Sequence, residues 1–165
     1  MLLSELLVPA AVSPRLKATN KRDAVAELVA LMEDAYGIQS QGEILDRVLR
    51  REAIMSTGIG NGVAIPHGKA RAVDRMMGAC AVSLQGLDFE AADGEPATLF
   101  ILLVSPESLR GPHVKALANV SRLLKEESVR DSLRASESPA QFLATLRDAE
   151  SHYLRVEPFT PQPPG

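Results

Sequence analysis

An uninterrupted apolar run at residues 99–104, LFILLV, is the feature that most constrains the fold of this chain. A strand with one face in water alternates apolar and polar residues, whereas this run shows no alternation. It therefore predicts a central β-strand that is covered by protein on both faces. A second apolar run at residues 77–84 predicts another strand, and residues 93–96, DGEP, supply a strong turn between the two.

Four amphipathic helices are predicted around these strands. Asn20 caps the first helix, which ends at Gly37. A capping box at residues 40–43, SQGE, predicts the second helix, and a proline at residues 111–112, GP, opens the third. Residues 138–141, SPAQ, combine a capping box with a proline and predict the last helix. Helices on either side of a few strands predict an α/β fold, a single-domain sandwich with a small mixed β-sheet flanked by helices on both faces.

The length and composition of the chain favour one domain. The 165 residues, 45% of them hydrophobic, suffice for one compact domain with a full core. We assign residues 1–154 to that domain. Residues 155–165 contain four prolines and little apolar content, which predicts a disordered C-terminal tail.

Charge and cysteine content narrow the expected partners and compartment. A formal net charge of −3 does not favour a general nucleic-acid surface, so proteins or small molecules are the expected partners. Cys80 is the only cysteine, which excludes an internal disulfide and fits a reducing cytosol. The apolar start of the chain lacks a basic region and stops at Pro9, and no apolar stretch reaches the ~18 residues of a membrane span. We expect a cytoplasmic protein with no membrane insertion.

A glycine-rich segment at residues 56–69, STGIGNGVAIPHGK, holds a histidine between a proline and a glycine. Residues 63–65 predict a short buried strand that delivers His67 to a loop. Pro66 fixes a backbone angle beside the imidazole, and Gly68 leaves the far side without a side chain. A ring placed in this way is held firmly and remains accessible, so His67 is the first candidate for chemistry.

Glycine-rich loops often bind nucleotides, but this segment fits neither common pattern. The Walker loop needs four residues between its first glycine and Gly-Lys, followed by Ser or Thr. Here five residues separate Gly62 from Gly68, and Ala70 follows Lys69. Residues 58–62, GIGNG, read GxGxG, so their third glycine lacks the spacing of the dinucleotide fingerprint, and the segment does not link a strand to a convincing helix. No nucleotide or other cofactor is therefore expected.

The residues alone leave four roles open for His67: metal ligand, general base, nucleophile and structural loop residue. Metal binding with His113 would need further ligands at suitable spacing, and none is evident, so no metal is expected. A hydrolase using both histidines has little support, because no Ser-centred elbow is visible. Neutral imidazole keeps a nucleophilic nitrogen near pH 7, which suits a phosphoryl acceptor.

The stretch that runs from Arg51 to Gly68 resembles the signature of enzyme IIA domains of the fructose–mannitol class in the bacterial phosphoenolpyruvate:sugar phosphotransferase system. The resemblance covers residues 3–150 and is strongest to the stand-alone nitrogen-regulatory branch. Further parts of the chain fit the family pattern: residues 87–89, Asp93-Gly94 with Pro96, the apolar strand ending at Pro106, and His113 before a helix.

The resemblance implies a phosphocarrier that accepts a phosphoryl group on His67, as tele-phosphohistidine, from the phosphohistidine of a small carrier protein (HPr or NPr). It implies that Arg51, sixteen residues earlier, stabilises the phosphoryl charge, and that His113 hydrogen-bonds the phosphoryl group or the imidazole. Both roles are physically reasonable. A guanidinium fork can hold two phosphoryl oxygens, and a ring near a helix start can donate to one.

Structural alternatives exist for each candidate. Arg51 could be a solvated helix-end charge that pairs with Glu52 or Asp46, and His113 could be a packed histidine on an apolar stripe. A second tier of candidates could hydrogen-bond phosphate or the imidazole, or could simply build the turn: Ser56, Thr57, Gly60, Asn61 and Gly68.

Three functions fit this pattern. The leading expectation is a regulatory, nitrogen-type relay, because no sugar-recognising or membrane-spanning domain is evident in the chain. The second is a sugar-uptake IIA component that passes phosphate to a separate fructose- or mannitol-type IIB. The third is a binding-only regulatory module, whose partners change when phosphorylation adds negative charge to a docking face.

Overall fold

The structure is a computed structural model that describes residues 1–154. The predicted C-terminal tail at residues 155–165 lies outside the described residues. Strand β6, Ala97–Ser105, lies at the centre of a six-stranded mixed sheet. Every residue from 99 to 104 is at most 1% exposed. The prediction of a central strand covered on both faces is therefore confirmed.

Strand β6 has different neighbours on its two sides. The long strand β5, Met77–Leu87, pairs with it in antiparallel orientation. On the other side lie two short parallel strands, first β3, Val63–Ala64, and then β4, His67–Lys69. The sheet is completed by β1, Val12–Ser13, parallel to β5, and by β2, Gly58–Gly60, antiparallel to β3. The predicted mixed sheet is confirmed.

Within residues 1–154, five α-helices surround the sheet, and two short 3-10 helices, Leu3–Leu6 and Pro9–Ala11, precede strand β1. Helices α1, Lys21–Tyr36, and α2, Glu43–Ile54, contact each other and pack on β5 and β4, respectively. Helices α4, Glu127–Arg134, and α5, Pro139–Tyr153, contact each other and pack on β6 and β1, respectively. Helix α3, Gly111–Leu123, lies against α5. Within residues 1–154, none of these helices has the length and apolar character needed to cross a bilayer.

The helix caps test the sequence predictions directly. The side chain of Asn20 accepts a hydrogen bond from the backbone of Asp23, and Ser138 caps α5 in the same way, so both predicted starts are confirmed. The capping box at residues 40–43 is wrong, because α2 starts after Gly42, which has no side chain to cap the helix. The Ser40 hydroxyl instead accepts a hydrogen bond from the backbone N–H of Ile44, 3.4 Å away in the first turn of α2. The Glu43 carboxylate instead accepts from the backbone N–H of Ala72, 2.9 Å away.

Candidate functional site

His67 is the first residue of strand β4, where it lies opposite Leu103 of β6. The prediction that a strand delivers His67 to a loop is therefore wrong in detail. The buried strand β3 ends at Ala64, and the chain pairs with β6 again from His67 onwards. Because β6 is buried in the core, this pairing gives the histidine a rigid backbone.

The imidazole of His67 is held by one hydrogen bond to the chain itself. Its Nδ1 lies 2.8 Å from the carbonyl oxygen of Ile65. A carbonyl can only accept, so Nδ1 carries the proton and Nε2 keeps its lone pair. Burial lowers the pKa of His67; the Ile65 carbonyl acts in the opposite direction, and the charge of Arg51 lowers the pKa further. The ring is thus neutral at pH 7, with Nε2 available as a nucleophile.

His113 lies beside His67, near the start of helix α3. The two ring centroids are 5.5 Å apart and the ring planes are inclined by 55°. The side chain is buried, and its Nδ1 is 2.6 Å from the hydroxyl oxygen of Ser105. Burial, together with the nearby charges of His67 and Lys69, lowers the pKa of His113 to about 4. His113 is therefore neutral at pH 7 as well.

Arg51 lies on the last turn of α2, close enough to His67 to depress its pKa. One guanidinium nitrogen, Nη1, donates to the carbonyl oxygen of Met55 at 2.8 Å, which anchors the side chain at the helix end. This bond uses a single N–H, so the guanidinium keeps further donors for an anion.

The alternative in which Arg51 is a paired helix-end charge does not agree with the ion pairs. Asp46 pairs with Arg50 at 2.9 Å, and Glu52 pairs with Lys21 at 3.0 Å. Within residues 1–154, no carboxylate forms an ion pair with Arg51. Its charge therefore remains available at the site.

These side chains meet in an open cleft of about 390 Å³ between α2, β4 and α3. It is lined by both histidines, by Gly68 and Ile54, and by four cationic side chains: Arg47, Arg50, Arg51 and Lys69. No carboxylate is among these lining residues. A cleft with two neutral imidazoles and several cations is suited to a phosphoryl group, which carries negative charge on three oxygens.

Gly68 brings the two sides of the cleft together. A Cβ atom at this position would lie 3.2 Å from Cγ2 of Val48 and 3.3 Å from its backbone nitrogen. These distances are tighter than most real Cβ contacts, so a side chain here would require helix α2 to shift away from strand β4 by a few tenths of an ångström. Since Val48 is about one turn before Arg51, this contact sets the position of the arginine relative to His67.

The other second-tier residues lie outside the cleft lining. The Ser56 hydroxyl donates to the Phe89 carbonyl at 2.7 Å, and Thr57 binds the Glu52 carboxylate through its backbone N–H and its hydroxyl. Gly60 and Asn61 belong to the β2–β3 hairpin. The Asn61 backbone N–H donates to Asp93 at 2.9 Å. These contacts favour the turn-building account for all four residues.

The hairpin between β2 and β3 explains part of the glycine pattern. Asn61 and Gly62 both have left-handed backbones, with φ of 59° and 77°. Two consecutive left-handed residues make the tight turn that best joins two twisted strands, and Asn-Gly is its preferred sequence. This part of the glycine segment therefore builds structure, whereas His67 and Gly68 build the cleft.

The sequence predictions missed Glu52 and Ser105. Glu52 is buried in helix α2, where it pairs with Lys21 and accepts hydrogen bonds from Thr57. Its negative charge also acts to raise the pKa of His67. The sequence does indicate that Glu52 is buried, because it follows the apolar Val48 by four residues and so lies on the same face of α2. Ser105 gave a weaker signal, a polar residue at the end of an apolar central strand. Within residues 1–154, no group of three or more His, Cys, Asp or Glu side chains is placed to hold a metal ion.

Comparison with known proteins identifies the family. Residues 5–149 match the family described as "Phosphoenolpyruvate-dependent sugar phosphotransferase system, EIIA 2". The chain belongs to this EIIA 2 family. As an EIIA 2 domain it is a phosphocarrier component of the phosphotransferase system. The family resemblance drawn from the His67 segment is confirmed.

Individual EIIA 2 relatives come from both regulatory and sugar-specific branches. The nitrogen regulatory protein of Bradyrhizobium diazoefficiens is 37% identical over 162 residues, covering 97% of this chain and 99% of the relative. The fructose-specific EIIA component of Haloferax volcanii is 37% identical over 118 residues, covering 72% of this chain and 77% of the relative. The crystal structure of IIA-Ntr from Neisseria meningitidis matches with a TM-score of 0.79 at 28% identity, over 87% of this chain and 97% of that chain.

Proposed function

We propose that this EIIA 2 domain is a cytoplasmic relay that accepts a phosphoryl group on Nε2 of His67 from a phosphohistidine carrier protein. The observation that carries the proposal is the 2.8 Å bond between His67 Nδ1 and the Ile65 carbonyl oxygen. It leaves Nε2 as the nitrogen with a lone pair, on a ring that lines the cationic cleft.

The transfer would exchange one N–P bond for another. The Nε2 lone pair attacks phosphorus, the bond from phosphorus to the donor nitrogen breaks, and its electron pair stays with the donor ring. A donor ring that carries a proton on its other nitrogen then leaves as neutral imidazole. His67 keeps its Nδ1 proton and becomes positively charged on phosphorylation. The Ile65 carbonyl, already bonded to that proton, stabilises the charged ring.

Arg51 and His113 are proposed to hold the phosphoryl oxygens. Phosphoryl transfer depends mainly on in-line positioning and on stabilisation of spread negative charge. The guanidinium of Arg51 offers planar donors, and His113 offers a neutral ring on the opposite wall of the cleft. Lys69 adds a point charge on the same strand as His67.

Exposed apolar side chains at or next to cleft-lining residues, here called the rim, support docking of a partner protein. Ile54 and Met55 at the end of α2 are 81% and 69% exposed, and Val114, next to His113, is 64% exposed. Large apolar side chains clustered around a polar centre are typical of a protein contact. We propose that this rim receives the carrier protein, HPr or NPr, and then the acceptor, a IIB domain or a regulatory target.

Regulation is proposed as the main output. The nitrogen regulatory protein from B. diazoefficiens matches this chain over almost its full length, which supports a nitrogen-type relay. The fructose-specific EIIA component from H. volcanii keeps the sugar-uptake alternative open, with transfer to a separate IIB. A binding-only module remains the third alternative, in which the phosphoryl group acts only as a charge switch at the rim.

Reconstitution would test the proposal. Labelled phosphoenolpyruvate, enzyme I and either carrier protein should transfer one acid-labile phosphoryl group to the domain. The nitrogen-type carrier should be the faster donor if regulation is the main output. Addition of a fructose-type IIB then separates the alternatives, because a sugar-uptake component should pass the label on within the assay. A protein that accepts no label from either carrier would contradict the proposal.

A further inference from the structure

A buried hydroxyl sits behind the second histidine of the cleft. Ser105 is the last residue of β6 and is fully buried, with 0% exposure. Its hydroxyl oxygen lies 2.6 Å from Nδ1 of His113. The backbone oxygen of Ser105 separately accepts from the N–H of Ala70. Ser105 is thus held by hydrogen bonds at both its backbone oxygen and its hydroxyl group.

The direction of the Ser105–His113 bond follows from the surroundings of the hydroxyl. Within residues 1–154, the Ser105 hydroxyl has no hydrogen-bond partner other than His113. If Nδ1 donated the proton, the hydroxyl hydrogen would be buried without an acceptor, at a cost of about 1–3 kcal/mol. If the hydroxyl donates to Nδ1, both groups are satisfied. The second arrangement is therefore the stable one.

This direction decides where His113 carries its own proton. Burial keeps the ring neutral at pH 7, and a neutral imidazole has one N–H. Because Nδ1 accepts from Ser105, the proton is on Nε2. His113 lines the cleft, and Nε2 is the nitrogen left to meet a group bound there.

We infer that Ser105 is a positioning residue that fixes His113 in its Nε2–H tautomer, so that this N–H donates to a phosphoryl oxygen bound at His67. The inference rests on the proposed function of His67 as phosphoryl acceptor. The two histidines then hold opposite tautomers. The Ile65 carbonyl fixes the proton of His67 on Nδ1 and makes Nε2 a nucleophile, whereas Ser105 fixes the proton of His113 on Nε2 and makes it a donor.

The Nδ1–H tautomer of His113 would present a lone pair to the cleft instead of a donor. A lone pair repels phosphoryl oxygens, so the wrong tautomer would oppose transfer. A packed histidine with a purely structural role could keep the same tautomer, but a change of tautomer would then not affect transfer. The tautomer of His113 and the transfer rate, measured together, therefore separate positioning from packing.

The first test reads the tautomer directly in the full-length, unphosphorylated protein. The chain has three histidines, so ¹⁵N-histidine labelling and long-range ¹H–¹⁵N correlation spectra can assign each ring. At pH 7, His113 is expected to show a protonated Nε2 and an unprotonated Nδ1, and His67 the reverse. A His113 ring protonated on Nδ1 would overturn the inference.

The second test compares Ser105→Ala with Ser83→Ala. Ser83 is a buried serine on the adjacent strand β5, and its hydroxyl bonds the Gly86 backbone and neither histidine. We expect Ser105→Ala to give a mixture of His113 tautomers and to slow phosphoryl transfer to the domain about 5- to 10-fold. Ser83→Ala should keep the wild-type tautomer of His113 and the wild-type rate of phosphoryl transfer, even if its melting temperature is lower.

The outcomes of this comparison separate the inference from the function on which it rests. If Ser105→Ala keeps the Nε2–H tautomer and the wild-type rate, the role of Ser105 is wrong and the proposed function stands. If the wild-type protein accepts no phosphoryl group, the proposed function fails and the role of Ser105 in transfer fails with it. The spectra would then still report the tautomer, because they require no donor protein.

Discussion

The Nδ1 nitrogen of His67 lies 2.8 Å from the carbonyl oxygen of Ile65, only two residues earlier in the chain. The backbone that builds the turn into β4 therefore also selects which nitrogen of the neutral ring carries the proton and which keeps its lone pair. Pro66 lies between the two residues and restricts the angle of that turn. The choice between the two imidazole nitrogens is thus made locally, before any partner protein binds.

Substitution of Arg51 by lysine should slow phosphoryl transfer while leaving the fold intact. Lysine keeps the positive charge but loses the planar fork, which should reduce the transfer rate about 10- to 100-fold. The measurement is the initial rate of label transfer from the carrier protein. Arg22→Lys, on the exposed surface of α1, is the matched control and should transfer normally. An unchanged rate in Arg51→Lys would show that the guanidinium does not hold the phosphoryl group.

Substitution of Gly68 by alanine should destabilise the protein and disturb the cleft together. The new Cβ would press on Val48 of α2, and we expect a loss of about 1–3 kcal/mol in the free energy of unfolding. The measurement is chemical denaturation. Gly111→Ala is the control, because its Cβ would meet no atom within 4 Å. If both variants unfold at the same denaturant concentration as wild type, the close approach of α2 and β4 is not required.

Much of the fold was predictable because it depends on local patterns. The apolar run of β6 and the cap at Asn20 are encoded in neighbouring residues, and both are confirmed. Helix α4 was not predicted, since its only apolar signal is Val129 and Leu133 on a short polar segment. Strand β4 was missed for another reason. The sequence of His67–Lys69 has no strand character, and pairing with the buried β6 imposes the conformation.

The sequence predicts the side chains proposed to take part in transfer but not the groups that orient them. His67 and Arg51 stand in a specific local motif. The bond between Ser105 and His113 and the ion pair between Lys21 and Glu52 join separate elements, so no local pattern reveals them.

Replacement of Glu52 by glutamine should destabilise the protein more than replacement of its exposed counterpart. Both Glu52 and Glu90 pair with Lys21 at 3.0 Å, but Glu52 is buried and also binds Thr57. Burial lowers the pKa of Lys21. The hydrogen bonds from its ammonium group to the two carboxylates, and their charges, outweigh burial, so the pKa is raised overall. We expect Glu52→Gln to lower the free energy of unfolding by about 1–3 kcal/mol and Glu90→Gln by less than about 1 kcal/mol.

Denaturation of the two glutamate variants in parallel measures this difference. Equal losses in both variants would show that the buried end of the network contributes no more than the exposed end. A selective loss in Glu52→Gln would support a role for Glu52 in holding the end of α2 against residues 56–58.

The depressed pKa of His113 predicts how stability changes with pH. The unfolded chain binds a proton at this side chain near pH 6.5, whereas the folded protein binds one only near pH 4. Between these values the unfolded state holds more protons, so the free energy of unfolding falls as pH falls from about 6.5 towards 4. His113→Gln removes this contribution. Between pH 6.5 and pH 4, the free energy of unfolding should therefore decrease in His113→Gln as well, but by about 1–3 kcal/mol less than in wild type.

Urea denaturation at several pH values between 7 and 4 would measure that contribution. His152→Gln is a suitable control, because its side chain is exposed near the end of α5. Parallel pH profiles for wild type and His113→Gln would contradict the burial of a neutral ring at this position.

The central claim is that Nε2 of His67 receives the phosphoryl group, and heteronuclear NMR of the phosphorylated, ¹⁵N-histidine-labelled protein tests it most directly. The spectra should show the phosphorus–nitrogen coupling on Nε2 of His67, with Nδ1 still protonated against the Ile65 carbonyl. His67→Gln should show no such signal. A phosphoryl group on Nδ1 of His67, or on any other residue, would contradict the account.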